Sequence, residues 1–280
     1  MGDVVLGDRE FALFRDLLYA EAGIALGPQK RVLVQSRLAR RLRALGLVSY
    51  GEYYRYLAEH DPAGAERRSF VNALTTNKTE FFREAHHFQY LAETWAPALR
   101  ARASATGSRR VRVWSAACST GEEPYTIAMT LADQFDVHAG WDVRILASDI
   151  DTEVLAHAEA GLYAEDRLDG IPSALRSRFF TRAAPPPARM VVRPEIRQLI
   201  SFRRINFRDE AWPIRARFDA IFCRNVLIYF NREDQQRLLE RLRAFLADDG
   251  CLFLGHSESV VGLMTGVRQV GTTIYQVVPA

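Results

Sequence analysis

Side chains capable of chemistry collect in a few short stretches of this sequence. Thr75-Thr76-Asn77-Lys78-Thr79-Glu80-Phe81-Phe82-Arg83-Glu84 is dense in hydroxyls, an amide and charges. Trp114-Ser115-Ala116-Ala117-Cys118-Ser119-Thr120-Gly121-Glu122-Glu123-Pro124-Tyr125 runs small residues into two acids and a proline. Asp149-Ile150-Asp151 closes an apolar run with acids, and Phe222-Cys223-Arg224-Asn225-Val226-Leu227-Ile228-Tyr229-Phe230 sets Arg224 and Asn225 among apolar neighbours. A polar pair in such company must find partners or face a ligand. The three cysteines, Cys118, Cys223 and Cys251, are far apart and lack metal-ligand spacing. Adjacent His86 and His87 project differently from a helix, and no Cys or acid set completes a site, so packing is expected there and no metal.

The loop from Ser115 to Gly121 is small enough for a ligand to approach the backbone, and Pro124 suits the first turn of a helix. It is not a phosphate loop, because no Lys-Ser/Thr pair follows Gly121 and two acids at the helix start would repel phosphate. A ligand with a positive end fits better. S-adenosylmethionine carries a sulfonium and an amino group that Glu122 or Glu123 could face; the alternative is a pair of acids favoured only by the helix dipole. Asp149 stands where nucleoside-binding α/β folds hold ribose hydroxyls, whereas Asp151 is placed to cap the next helix.

Helices and strands must hold these stretches in place. Phe11, Phe14, Leu17 and Leu18 recur at helical spacing before Gly23. Further helices are predicted over 29–45, over 50–59 with Ser49 as cap, and over 65–74. After Arg109 the texture alternates. Strands are expected over 111–117, 143–149, 218–223 and 251–255, with helices over 123–135, 152–160 and 234–246. Such alternation predicts an α/β fold with a doubly wound, mainly parallel sheet, whose ligands bind beyond the carboxyl ends of the strands. Between Gly161 and Phe207 the alternation breaks at Pro185-Pro186-Pro187, and Phe179-Phe180 with Met190-Val191-Val192-Arg193 would form a small antiparallel insertion. The domains expected are a helical one over 1–85 and an α/β one over 86–280, with a β-subdomain at about 161–207.

Composition excludes several classes. The 280 residues are 48% apolar and 25% charged, as in a globular domain. No run of about twenty apolar residues could span a membrane. Acids rather than a basic segment stand at the start, which does not predict a secretory signal, and dispersed thiols suit a reducing cytoplasm. A net charge of +3 is too small to argue for nucleic acid.

Taken in order, TTNKTEFFRE, WSAACSTGEEPYTIAM, ASDID, FDAIFCRNVLIYF and GHSES are similar to the signature of the CheR chemoreceptor methyltransferases. The resemblance covers nearly the whole chain. It implies an all-α N-terminal domain joined to a methyltransferase domain of the S-adenosylmethionine-dependent type with a small β-subdomain. It further implies methyl transfer from S-adenosylmethionine to glutamate carboxylates of bacterial chemoreceptors, in the cytoplasm at membrane-bound receptor arrays, with S-adenosylhomocysteine as product. On the matching positions, Asn77, Thr79 and Arg83 would contact the cofactor or the reacting site, Glu123 its ribose or methionine portion, and Asp149 its ribose or adenine. Asn206 and Phe207 would flank the adenine, with Phe where the family usually has Leu. Arg224 and Asn225 would line the site. Arg83 and Tyr229 would be the catalytic pair. The first loop departs from glycine-rich methyltransferases, since only Gly121 remains.

Lys30, Arg31, Arg37, Arg40, Arg41 and Arg43 lie together with no acid among them, and Lys30, Arg37 and Arg41 share a helical face near Arg40. The absence of interleaved aromatics disfavours nucleic acid. The alternatives are a solvated face and, given the resemblance, a dock for acidic receptor helices. In some family members the β-subdomain also grips a peptide at the receptor's C-terminus. Here the turn is Ala183-Ala184-Pro185-Pro186-Pro187-Ala188, and proline supplies no N–H for strand addition, which argues against that docking.

Overall fold

The computed structural model describes residues 5–136, 139–183 and 189–278. Apolar residues at helical spacing build its first part. Phe11, Phe14 and Leu18 form the buried face of α1 (Asp8–Ala22), which ends at Gly23. A short 3₁₀ turn, Pro28–Lys30, leads into α2 (Arg31–Leu45). The Ser49 side chain caps α3 (Tyr50–Glu59) by accepting from the Glu52 N–H, and α4 (Ala65–Leu74) follows. Their apolar faces meet around Phe14, whose ring lies 5.8 Å from those of both Tyr53 and Phe70.

The chain then runs through α5 (His86–Tyr90) and a π-helical turn, Leu91–Trp95, into α6 (Ala96–Thr106). Strand and helix alternate from there: β1 (Arg110–Ala116), α7 (Glu122–Gln134), β2 (Asp142–Asp149) and α8 (Thr152–Ala160). A small antiparallel sheet interrupts the alternation. It comprises β3 (Leu162–Ala164), β4 (Phe180–Arg182) and β5 (Arg189–Val192), with α9 (Ser173–Phe179) packed in the excursion and β5 in the middle. After α10 (Pro194–Arg197) come β6 (Ile200–Arg204), β7 (Phe218–Cys223), α11 (Arg232–Phe245), β8 (Leu246–Leu254), β9 (Val267–Gly271) and β10 (Ile274–Val277).

The main sheet has seven strands in the order β6-β2-β1-β7-β8-β10-β9. Strands β6, β2, β1, β7 and β8 pair in parallel, and β10 is antiparallel to both β8 and β9. The doubly wound, mainly parallel expectation therefore holds. Two apolar layers cover the sheet because successive strand residues point to opposite faces. Val111, Val113, Cys251 and Phe253 pack on one side; Trp114, Ala116, Leu252 and Leu254 pack on the other.

The expected pairing of 179–180 with 190–192 is present, joined by a third strand, β3. The polyproline turn itself lies outside the described residues. Ile200–Arg204, inside the span read as the insertion, pairs instead with β2 in the main sheet. Ile200 is buried there, while Ser201, Arg203 and Arg204 are exposed. An edge strand needs one apolar face only, so it lacks the continuous apolar run that marks the central strands. Strand β9, at the opposite edge, lacks an apolar run for the same reason, and β10, between β8 and β9, is only four residues long.

Candidate active site

The strand order reverses between β1 and β7, and open α/β sheets bind ligands outside the carboxyl ends of the strands at such a point. A cavity of about 520 Å³ opens there. The loops after β1, β2, β6 and β7 form its floor, the 74–83 segment forms one wall, and residues 22–33 of the helical domain complete it. Asn77, Thr79, Arg83, Glu123, Asp149, Asn206, Phe207, Arg224, Asn225 and Tyr229 all line this one cavity.

The loop after β1 owes its path to a conformation that L-residues rarely adopt. Ala117 and Ser119 stand at φ 67° and 50°, and Gly121 at φ 97°. A Cβ on Gly121 would lie 2.7 Å from the Tyr163 hydroxyl and 2.8 Å from Ala158 Cβ, so only glycine fits. Ala117 and Ser119 thus hold the left-handed backbone that a glycine-rich loop adopts freely. Asp149 fixes this shape. Its carboxylate accepts from the backbone N–H of Ser119 at 2.8 Å and of Asp151 at 3.0 Å. Burial pushes the Asp149 pKa up to about 6, although those N–H donors favour the charged form.

The two acids after Gly121 part company. Glu122 is buried away from the cavity, paired with Arg167 and accepting from the Thr120 hydroxyl at 2.6 Å. Glu123 lines the cavity, held by Ser115 Oγ at 2.7 Å and by Arg224 Nη1 at 3.1 Å. Burial raises the Glu123 pKa against the pull of Arg224. Asp151 caps α8, as its position in the sequence suggests, by accepting from Glu153 and Val154 N–H. Its other oxygen accepts from Thr75 Oγ1 at 2.7 Å and Asn77 Nδ2 at 2.8 Å, which ties the 75–77 segment over the strand tips.

Two arginines enter the site with different freedom. Arg224 is buried, with Nη1 on Glu123, Nη2 donating to the Arg83 carbonyl, and Glu84 Oε2 at 3.4 Å. The Arg83 guanidinium donates only to the Lys78 carbonyl, at 3.0 Å, and has no carboxylate partner among the described residues. Asn206 and Phe207 follow β6. Asn206 Nδ2 donates to the Glu21 carbonyl at 2.7 Å, docking the end of α1, and the Phe207 ring packs 5.6 Å from Trp212. Asn225 sits at φ 58° after β7, with Tyr229 in the 3₁₀ turn that follows, Leu227–Tyr229.

Glu84 corrects the reading of the histidine pair. Glu84, His86 and His87 bring ligand atoms within 4.8 Å of one another, so an acid does join the two histidines. That acid is already engaged: Glu84 Oε1 accepts from the His256 backbone N–H at 3.3 Å and sits 3.2 Å from His256 Nδ1, with Arg224 on its other oxygen. Burial works against the Glu84 charge, yet Arg224 and His256 together hold its pKa below the usual range. Burial, reinforced by Arg224, drives the His87 pKa down to about 3, which leaves a neutral ring. Glu258 is buried and accepts four backbone N–H groups, from Asn225, Val226, Leu227 and Gly255.

The basic face of α2 is also corrected. Arg41 forms a bidentate pair with Glu66 at 2.9 and 2.6 Å, and Tyr53 donates to the same carboxylate. Arg37 donates to the carbonyls of Thr75 at 2.5 Å and Ala73 at 3.4 Å, closing the end of α4. Both are committed inside the helical domain. Lys30 and Arg40 remain exposed.

The cavity suits S-adenosylmethionine on its own terms. Its volume falls in the small-molecule range, Glu80, Glu123 and Asp149 line it, and small left-handed residues let a ligand reach the backbone. Comparison with known proteins agrees. Residues 77–276 match the family described as CheR methyltransferase, SAM binding domain, and residues 9–75 match its all-alpha domain. Chemotaxis protein methyltransferase 2 of Pseudomonas aeruginosa is 48% identical over 270 residues, covering 95% of this chain and 92% of its own. Chemotaxis protein methyltransferase of Escherichia coli is 44% identical over 274 residues, covering 97% and 92%. With a cavity roofed by helices of the all-alpha domain and floored by the sheet of the SAM binding domain, this chain belongs to the CheR methyltransferase family and is an S-adenosylmethionine-dependent methyltransferase.

Proposed function

We propose that this enzyme transfers methyl groups to glutamate side-chain carboxylates of bacterial chemoreceptors, acting in the cytoplasm at receptor arrays. One observation carries this reading most: Arg83 brings to the cavity a guanidinium with no acid partner among the described residues, while Arg224 is consumed by protein acids. Such a guanidinium is the natural partner of an incoming carboxylate. The relatives' names tie them to chemotaxis, and the motif resemblance implies a chemoreceptor as the source of that carboxylate.

A glutamate carboxylate has an unperturbed pKa of about 4.3, so it arrives ionised and needs no general base. Bound S-adenosylmethionine supplies an electrophilic methyl group on a sulfonium, and transfer to a carboxylate oxygen yields a methyl ester and S-adenosylhomocysteine. Glu123 and Asp149 would hold the cofactor, with Asn77, Thr79, Asn206, Phe207, Arg224 and Asn225 shaping its surroundings. Arg83 would orient one carboxylate oxygen and leave the other free to react. A two-point grip would make the acceptor a poorer nucleophile. The Tyr229 hydroxyl, which has no protein partner among the described residues, would hydrogen-bond at the reacting end. Closing the receptor helix over the mouth would exclude water, which strengthens these interactions.

Arg83→Ala is expected to lower turnover about 10²- to 10³-fold while circular dichroism and thermal stability stay unchanged. The assay supplies labelled S-adenosylmethionine and receptor-containing membranes, and counts base-labile methyl ester on receptor bands. Near-normal turnover in this variant would remove Arg83 from catalysis. Methyl groups stable to base would point to an acceptor other than a carboxylate.

A further inference from the structure

The turn after β8 touches both walls of the reacting end at once. From its start, Gly255, to Glu258 it spans four positions of the sequence, and none of the roles assigned above belongs to it. On one side Glu258 Oε2 accepts from Asn225 N–H at 2.8 Å and Gly255 N–H at 2.6 Å, while Oε1 accepts from Val226 and Leu227 N–H at 2.8 Å each. On the other side His256 meets Glu84 through its backbone N–H and its Nδ1. Glu84 adjoins Arg83, and Asn225 to Leu227 lead directly to Tyr229.

Both of those walls are held in backbone conformations that need outside support. Phe82 and Glu84 stand at φ 56° and 58°, and Asn225 at φ 58°. Non-glycine residues persist there only when surrounding contacts over-determine them. For the Asn225 loop the contacts come from one carboxylate. It caps the buried N–H groups at the start of the 227–229 turn as an N-cap side chain would, but from a distant part of the chain. The fit is tight. A Cβ on Gly255 would approach the Asn225 backbone nitrogen to 2.8 Å and Glu258 Oε2 to 2.9 Å.

We infer that Glu258 is a positioning residue: through the 255–258 turn it sets Tyr229 against Arg83 and so fixes the geometry of the reacting end. The consequence for rate, though not the geometry, rests on the function proposed above. Misplacing reacting groups by about 1 Å lowers turnover on the order of 10²-fold even when binding survives. Glu258→Gln keeps the size of the side chain but turns an NH₂ towards N–H donors, so the loop must move.

Three measurements on the full-length protein test this. Hydrogen exchange reads the 225–227 amides without any substrate; in Glu258→Gln they are expected to exchange about tenfold faster or more, with the central β7 amides unchanged. Turnover per S-adenosylhomocysteine-binding site, which counts only folded molecules, is expected to fall about 30-fold or more. Glu258→Asp, which retains the charge, should recover most of that loss. A purely stabilising role would instead lower thermal stability and leave turnover per binding site within about threefold of wild type, and that result overturns the inference, as do unchanged 225–227 amides. Should Glu258→Gln fail to fold, His256→Ala serves, since its side chain is largely exposed; it should reduce turnover several-fold at unaltered cofactor affinity, and wild-type turnover there overturns the inference. A wild-type enzyme that forms no receptor ester refutes the proposed function, while the amide data still decide the positioning role.

Discussion

At the scale of single residues, the site separates groups that hold from groups left free to act. Arg224 is shared between Glu84 and Glu123 in a buried cluster, which leaves Arg83 as the arginine of the site that is open to the proposed substrate carboxylate. Asp149 carries the clearest pH consequence. It is an acid whose pKa burial raises to about 6 in the folded protein. The burial cost therefore weighs on stability above about pH 6 and is released as pH falls through that value. In the role proposed for it, a protonated Asp149 would lose acceptor character towards ribose hydroxyls. Affinity for S-adenosylhomocysteine should be flat above about pH 6.5 and weaken towards tenfold per pH unit below about pH 6. Asp149→Asn should bind weakly and without this dependence. Titration calorimetry across pH checks both, and undiminished wild-type binding at about pH 5 would free Asp149 from the role.

Among the elements, α2 shows how a charge run misleads. Its arginines read as a single basic face, yet Arg41 turns inward to Glu66 and Tyr53, and Arg37 turns to the end of α4. The Glu66 carboxylate is buried, with its side chain 8% exposed. Removing its partner strands a charge. Arg41→Ala should therefore destabilise the protein by about 3 kcal/mol, seen as a lower Tm; a shift below about 1 °C would show that the pair contributes nothing. Receptor docking on this face falls to the exposed Arg40 of α2 and to exposed Lys30 in the turn before it, in the reading proposed above. The Lys30→Glu, Arg40→Glu double variant should raise KM for receptor membranes about tenfold at low ionic strength. The effect should vanish near about 1 M salt, where the Debye length is about 3 Å, and Tm should not change. An unaltered KM would move the dock elsewhere.

Taken as a whole molecule, the enzyme has a cofactor cavity that neither domain completes alone. Residues 22–33 of the helical domain line it, and Asn206 to Glu21, Thr75 to Asp151 and Ala25 to Tyr229 stitch the domains around it. S-adenosylhomocysteine at about 100 times Kd should raise stability by about 2.7 kcal/mol in a single calorimetric transition; two transitions with only one shifted would show that the helical domain takes no part. Much of this was legible in advance. Helical spacing with Ser49 as a start and Gly23 as a stop located the helices of the first domain, and apolar runs located the central strands, because burial on one face or two leaves a periodic mark in the sequence. The motifs likewise named residues that do share one cavity. Only the tertiary structure decided that edge strands β6 and β9 and the short strand β10 join the sheet, that Glu123 rather than Glu122 faces the cavity, and that Arg37 and Arg41 are spent internally. It alone revealed Glu258 beneath the Asn225 loop. Local pattern records whether a residue is buried, whereas the partner of a charge is set by chain segments that meet from far apart, and that meeting exists only once the chain has folded.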